Sequence, residues 1–152
     1  MDAELVQLKS NEHLFFNILP IEWQDNIVPF WNDYKSSSKV IVFYDGDDVI
    51  AGGILFSAMP PDLKLHSTEL QTWFDKGYLY IGFLWVAEHK RNQKMGSLWI
   101  EKIKDLMPKQ KFWLVIEEED LGKFYEKHHF IKEQTIVNED TIEWVYAFKP
   151  NV

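Results

Sequence analysis

The sequence predicts one mixed α/β domain, a sheet flanked by helices, and three observations carry that expectation. Short runs rich in β-branched and aromatic residues, KVIVFYD (39–45), YLYIGFLWV (78–86) and KFWLVI (111–116), read as strands. Between the last two, Leu98, Trp99, Ile103, Leu106 and Met107 recur at helical spacing. The turn signals fall between these segments and not inside them: Asp45-Gly46-Asp47-Asp48, Pro108 and Asn138-Glu139-Asp140.

Taken in order, ELVQLKS (4–10) reads as a first strand. Asn11 is placed to cap a helix over HLFFNIL, which Pro20 ends. IEWQDNIVPFWNDYK (21–35) carries Ile21, Ile27, Phe30, Trp31 and Tyr34 mostly at helical spacing, with Pro29 kinking or dividing the helix. The strand at 39–45 and VIAGGILFSA (49–58) form a hairpin across the DGDD turn. The Gly52-Gly53 pair marks a bulge or a close backbone approach.

Residues 59–77 form a longer connection that opens with Met-Pro-Pro and holds a short helix in LHSTELQTWFDK. YLYIGFLWV is apolar on both faces, as a central strand covered on both sides must be. A basic loop and an amphipathic helix ending at Pro108 follow. KFWLVI is another buried strand, DLGKFYEKH a short helix, and HFIKEQTIV and TIEWVYAFK the closing strands. The expected order is β-α-α-β-β-(α)-β-α-β-α-β-β. No repeat, low-complexity tract or linker interrupts the 152 residues, so one domain spanning 1–152 is expected.

Composition narrows the function classes. With 46% hydrophobic and 16% aromatic residues the chain can bury a real core. Sixteen Lys+Arg against 24 Asp+Glu give a net charge of −8, which repels nucleic-acid phosphates and disfavours a nucleic-acid partner. The absence of cysteine excludes disulfides, thiolate metal sites and a cysteine nucleophile. The acidic N-terminus and the short apolar run after it do not match a secretory signal or a membrane span, so a cytoplasmic protein without a membrane partner is expected. His128 and His129 are adjacent and diverge on a helix, no H-x-x-x-H or H-E-x-x-H spacing occurs, and no metal site is expected. The serines lack the nucleophile-elbow context of a hydrolase.

One stretch stands apart. VAEHKRNQKMGSLWIEKI (86–103) passes from strand to helix through a basic, polar loop in an otherwise acidic chain. A helix N-terminus presents unpaired N–H groups and about half a positive charge, which makes it a seat for an anion. Arg91 and Lys94 add direct charge, and Gly96 permits a close backbone approach. Neither the Walker pattern nor G-x-G-x-x-G is present, so the common nucleotide loops are unsupported.

Arg91-Asn92-Gln93-Lys94-Met95-Gly96 resembles the Q/R-x-x-G-x-G/A motif that follows the fourth strand in the GNAT superfamily of acyl-CoA-dependent N-acyltransferases. Phe124-Tyr125-Glu126-Lys127-His128-His129-Phe130 is similar to that family's F-Y-E-K-x-G-F helix end, and one helix and one strand fill the interval, as in the family. Lys94 stands in place of the first motif glycine, Glu118 where many members have Asn, and His129 in place of the helix-terminating Gly. If position 94 requires positive φ, its lysine costs about 1 kcal/mol. The resemblance implies a central mixed, mostly antiparallel sheet of about six to seven strands flanked by helices.

It further implies acetyl-CoA as acyl donor and a primary amine of a small molecule or protein as acceptor. Backbone groups of Leu84 and Val86 would hold the acetyl carbonyl and the pantetheine arm. The N–H groups from Gln93 through Lys94, Met95 and Gly96 to Ser97 would receive the diphosphate, with Arg91 and Asn92 beside them. Tyr125 matches the tyrosine that often protonates the departing sulfur, and its reference pKa near 10 keeps it protonated at neutral pH. YLYIGFLWV contains no carboxylate to serve as base, and Glu117, Glu118 and Glu119 could act directly or through water. Trp23, Trp31, Trp73 and Trp144, beside Asp33, Glu69 and Asp75, would suit a cationic amine if they met in one pocket. A homodimer is compatible with this reading. A non-catalytic acyl-CoA sensor and an interaction domain on the same fold are the alternatives.

Overall fold

The computed structural model describes residues 4–61, 63 and 67–151. Its seven-stranded sheet comprises β1 (Val6–Leu8), β2 (Ser38–Asp45), β3 (Asp48–Phe56), β4 (Tyr78–Val86), β5 (Lys111–Ile116), β6 (Ile131–Val137) and β7 (Ile142–Phe148). The helices are α1 (His13–Phe16), α2 (Ile21–Ile27), α3 (Trp31–Tyr34), α4 (Ser67–Asp75), α5 (Met95–Leu106) and α6 (Leu121–Lys127). The strands lie in the order β1-β2-β3-β4-β5-β7-β6, antiparallel throughout except for the parallel pair β4–β5.

Two adjacent glycines show how the layers sit. A Cβ on Gly52 would meet the ring of Phe15 from α1 at 3.0 Å, and one on Gly53 would meet the ring of Trp99 from α5 at 2.8 Å. Successive strand residues point to opposite faces, so α1 and α5 cover opposite faces of β3. The expected close backbone approach is therefore there, once on each face. Trp99 is fully buried and its indole N–H donates to the Ile41 carbonyl at 3.0 Å, which fixes α5 across the sheet. On the α1 face, Trp73 of α4 stacks on Trp113 of β5 at 6.0 Å, and Tyr80 meets Trp113 at 4.7 Å. Phe15, Ile54, Phe56, Trp99, Ile100 and Trp113 are among the fully buried side chains at the centre.

The feature that positions the site is a failure of pairing. β4 and β5 pair over only three positions, Tyr78↔Lys111, Leu79↔Phe112 and Tyr80↔Trp113. Beyond these β4 stays with β3 and β5 with β7, so a wedge opens in the middle of the sheet.

Some sequence expectations are corrected. The helix expected from Asn11 starts at His13 with Glu12 at its cap position, where Glu12 is buried and bonded to Trp31. Pro29 divides the second expected helix: α2 ends at Ile27, a 3₁₀ turn spans Val28–Phe30, and α3 follows. Leu106 is exposed, not on the buried face of α5, because that helix is in its last turn as it leaves the sheet. Of the helix expected in LHSTELQTWFDK, residues 65 and 66 lie outside the described set and α4 covers Ser67–Asp75. Among the described residues no helix is long and apolar enough to cross a membrane.

Candidate active site

β4 carries a bulge at the mouth of the wedge. The register runs Gly52↔Trp85 and then Ile54↔Gly82, so Phe83 and Leu84 together face the single Gly53. Phe83 takes φ +56, an outlier for a bulky residue that costs about 1–3 kcal/mol. Its ring is held against Trp23 at 6.0 Å and Phe56 at 6.2 Å. Further along, the Ala87 N–H donates to the Ile50 carbonyl at 2.8 Å. Alternation along the ladder therefore turns the Val86 N–H and C=O away from β3 and into the wedge. The Val86 carbonyl accepts from Arg91 Nε at 3.3 Å, and the Arg91 guanidinium lies over the Trp85 ring, 4.4 Å from its centroid. Those contacts pin a fixed cation beside the opening.

The basic loop begins with a 3₁₀ turn, Glu88–Lys90, and then bends through Asn92 at φ +63 and Lys94 at φ +60. Lys94 is the N-cap of α5, in the left-handed region, and makes no side-chain capping bond. The position does require positive φ, so its lysine bears the strain of about 1 kcal/mol that a glycine would avoid. The first-turn N–H groups at Met95, Gly96 and Ser97 have no intrahelical partner and face the same space. Lys90 pairs with Asp45 at the end of β2, 2.7 Å away.

A cavity of about 990 Å³ fills the wedge. Leu84 and Val86 of β4, Arg91, Asn92 and Lys94 of the loop, and Met95, Gly96 and Ser97 of α5 line it. Gln93 does not; it is exposed on the outside of the bend. Glu117 and Glu118 at the end of β5 and Phe124 and Tyr125 of α6 form the facing wall. Tyr125 is 9% exposed, packed edge-on to Phe124 at 4.9 Å and Phe130 at 5.7 Å. Burial holds its phenol pKa above the ordinary value of 10.0. Its wall is closed by a sharp reversal in which His129 takes φ +68 and the Phe130 N–H donates back to the Tyr125 carbonyl at 3.1 Å, the turn that a family glycine would also make.

The aromatic-acidic pocket expected from sequence does not assemble. The Trp31 indole donates to Glu12 at 3.0 Å and the Trp73 indole to Gln134 at 3.1 Å, so both rings serve packing. Trp144 sits on β7 opposite Ile116, and of the seven residues named only Trp23 reaches the cavity, accompanied by Asn26. An indole gains most by burying its ring with the N–H satisfied, and sequence alone does not say in which layer that happens.

Sequence reasoning also missed a polar chain behind the loop. Ser97 Oγ lies 3.0 Å from His128 Nε2, and His128 Nδ1 lies 2.5 Å from Glu101 Oε2. Lys104 Nζ stands 3.4 Å from the same carboxylate and donates to the His128 carbonyl. Burial pushes the Glu101 pKa up, but the bond from His128 and the charge of Lys104 outweigh it and hold the carboxyl below its ordinary 4.5. The four-residue spacing of Ser97 and Glu101 was visible as a shared helix face; the approach of His128 is tertiary and left no sequence signal.

This arrangement, an open parallel wedge with a basic loop and a helix N-terminus at one side, has a match. The model of the Acetyltransferase (GNAT) family matches residues 8–130. The chain belongs to this family. No curated protein matches it in sequence. Among solved structures, Naa50 of Arabidopsis thaliana in complex with the bisubstrate analogue CoA-Ac-MVNAL is 19% identical over 98% of this chain and 99% of that one, with a TM-score of 0.65. An aminoglycoside 6′-N-acetyltransferase complexed with coenzyme A is 10% identical over 96% of each chain, TM-score 0.71. The ribosomal-protein-S18-alanine N-acetyltransferase of Escherichia coli is 11% identical over 99% of this chain and 95% of that one, TM-score 0.69. At these identities the likeness is one of fold. The GNAT sheet is thus kept although Lys94 replaces a motif glycine, because the chain adopts the required left-handed bend with lysine in place.

Proposed function

We propose that this chain transfers an acetyl group from acetyl-CoA directly to a primary amine of a small molecule or protein. One observation carries the reading: the β4–β5 wedge brings the outward-facing Val86 backbone, the uncapped start of α5 and the buried Tyr125 side chain to a single cavity. The residues present fit the donor. The unpaired N–H groups of Met95, Gly96 and Ser97, with Arg91 and Lys94, suit a diphosphate; the backbone of Leu84 and Val86 suits an amide-containing arm running as a missing strand. When bound, acetyl-CoA supplies an activated thioester carbonyl.

The chain's own groups then have defined tasks. A backbone N–H at the bulge, that of Leu84, stabilises the negative charge that develops on the acyl oxygen. The Tyr125 hydroxyl stays protonated across the working pH range, since burial raises its pKa. Its proton is therefore in place for the departing sulfur. Starting from the neutral amine, two protons move: one leaves the nitrogen, and one passes from the Tyr125 hydroxyl to the sulfur, the phenol being restored from solvent. Glu117 and Glu118 face the cavity and can take the first, directly or through water. Trp23 and Asn26 of α2 lie on the side left for the acceptor.

Binding and chemistry are tested separately. Acetyl-CoA at a hundredfold excess over its Kd should stabilise the fold by about 2.7 kcal/mol, and ATP should not. Tyr125→Phe should lower kcat by roughly a hundredfold with donor affinity unchanged. Absence of any acetyl-CoA stabilisation would overturn the reading, and unaltered transfer by Tyr125→Phe would remove Tyr125 from it.

A further inference from the structure

Ser97, His128 and Glu101 form a connected chain that the transfer chemistry does not use. Its outer end, Ser97, lines the cavity beside the N-terminus of α5, while His128 lies behind it and is only 8% exposed. The hydrogen positions along it follow from chemistry. Ionised Glu101 only accepts, so His128 Nδ1 carries a hydrogen and donates it. Nε2 then has two options. In the neutral ring it is an acceptor, and the Ser97 hydroxyl must spend its hydrogen on it. In the imidazolium it donates to Ser97 Oγ, and the hydroxyl hydrogen is released toward the cavity.

We propose that His128 is a positioning residue for the donor's diphosphate: by taking up a proton it frees the Ser97 hydroxyl to donate to the anion at the start of α5, so that donor binding and protonation of His128 are one event. This rests on the reading of the cavity as the acyl-CoA site. The charged groups facing His128 come from α5. Glu101 at 2.5 Å favours the imidazolium; Lys104 opposes it, with its ammonium turned onto Glu101 and the His128 carbonyl. From α6 the uncharged ring of Phe124 lies 5.1 Å away. A diphosphate on the far side of Ser97 adds negative charge to this balance and tips it toward the imidazolium. The sign is fixed. A bound anion favours the imidazolium, so by linkage affinity falls as pH rises.

The test is calorimetric titration of dephospho-CoA into the protein from pH 6 to pH 8, in two buffers of different protonation enthalpy. Dephospho-CoA lacks the 3′-phosphate that would itself titrate in this window. The wild-type protein is expected to take up a fraction of a proton on binding and to bind about fivefold or more tightly at pH 6 than at pH 8. His128→Gln should bind with no proton uptake and a flat pH profile. Ser97→Ala, a small change at the cavity wall that leaves His128 and Glu101 in place, should bind at pH 6 about as weakly as the wild type does at pH 8. Firm binding by the wild type without proton uptake, or uptake undiminished in His128→Gln, would overturn this inference alone. Failure of every form to bind dephospho-CoA or CoA at any pH would overturn the donor reading, and this inference with it.

Discussion

Lys94 sets a residue-scale problem in which two demands on one position conflict. The bend into α5 requires φ near +60°, for which glycine is the unstrained residue, yet the position faces a cavity where a cation is useful. Helix interiors rank alanine above glycine; here the order should reverse. Lys94→Gly is expected to be about 1 kcal/mol more stable than Lys94→Ala in urea denaturation, with both losing donor affinity relative to lysine. The sequence made this conflict readable, because the motif showed which glycine was missing. It did not make Phe83 readable. A left-handed residue in the middle of an apolar strand follows from the register of β3 against β4, which no local signal encodes.

At the scale of elements, strands were legible wherever they were buried on both faces: β4 and β5 run over the same residues as the apolar runs that predicted them. The N-terminal helices were less so, because Pro29 and the short amphipathic pieces around it leave their boundaries to packing. The docking of α6 was invisible for the same reason, and it is tight. A Cβ on Gly122 would come within 2.2 Å of the Tyr146 hydroxyl, and Tyr146 is itself 3% exposed. Gly122→Ala should therefore cost about 1–3 kcal/mol and, because α6 carries Tyr125, lower transfer as well. Gly96→Ala makes a useful contrast. Its Cβ would rest 3.4 Å from the Phe124 ring, an ordinary contact, so stability should change by less than about 1 kcal/mol.

For the whole molecule, weakness at low pH comes from carboxylates that are paired in the folded state. Glu12 is the clearest contributor. Its carboxylate is buried, accepts from the Trp31 indole at 3.0 Å and lies 3.4 Å from Lys35. Burial pushes its pKa up, but its own backbone N–H, Trp31 and Lys35 together hold it below the ordinary 4.5. A carboxyl depressed in the folded state stabilises the fold above its unfolded pKa, and that contribution is lost as pH falls through the folded value. Glu12→Gln should cost about 1 kcal/mol at pH 7, and the difference from wild type should shrink as pH falls below 4.5 in thermal denaturation.

The short seam between β4 and β5 has a consequence for the clock on which single amide protons leave the protein. Past Tyr80 and Trp113 the two strands stop sharing bonds, so neighbouring residues on β4 alternate between a ladder and an opening. The Ala87 amide is tied to Ile50, and the Val86 amide, one residue earlier, points into the wedge. In heavy water the free protein should therefore exchange Val86 orders of magnitude faster than Ala87, at positions adjacent in the chain. Acetyl-CoA seated in the wedge should slow Val86 and leave Ala87 nearly as it was.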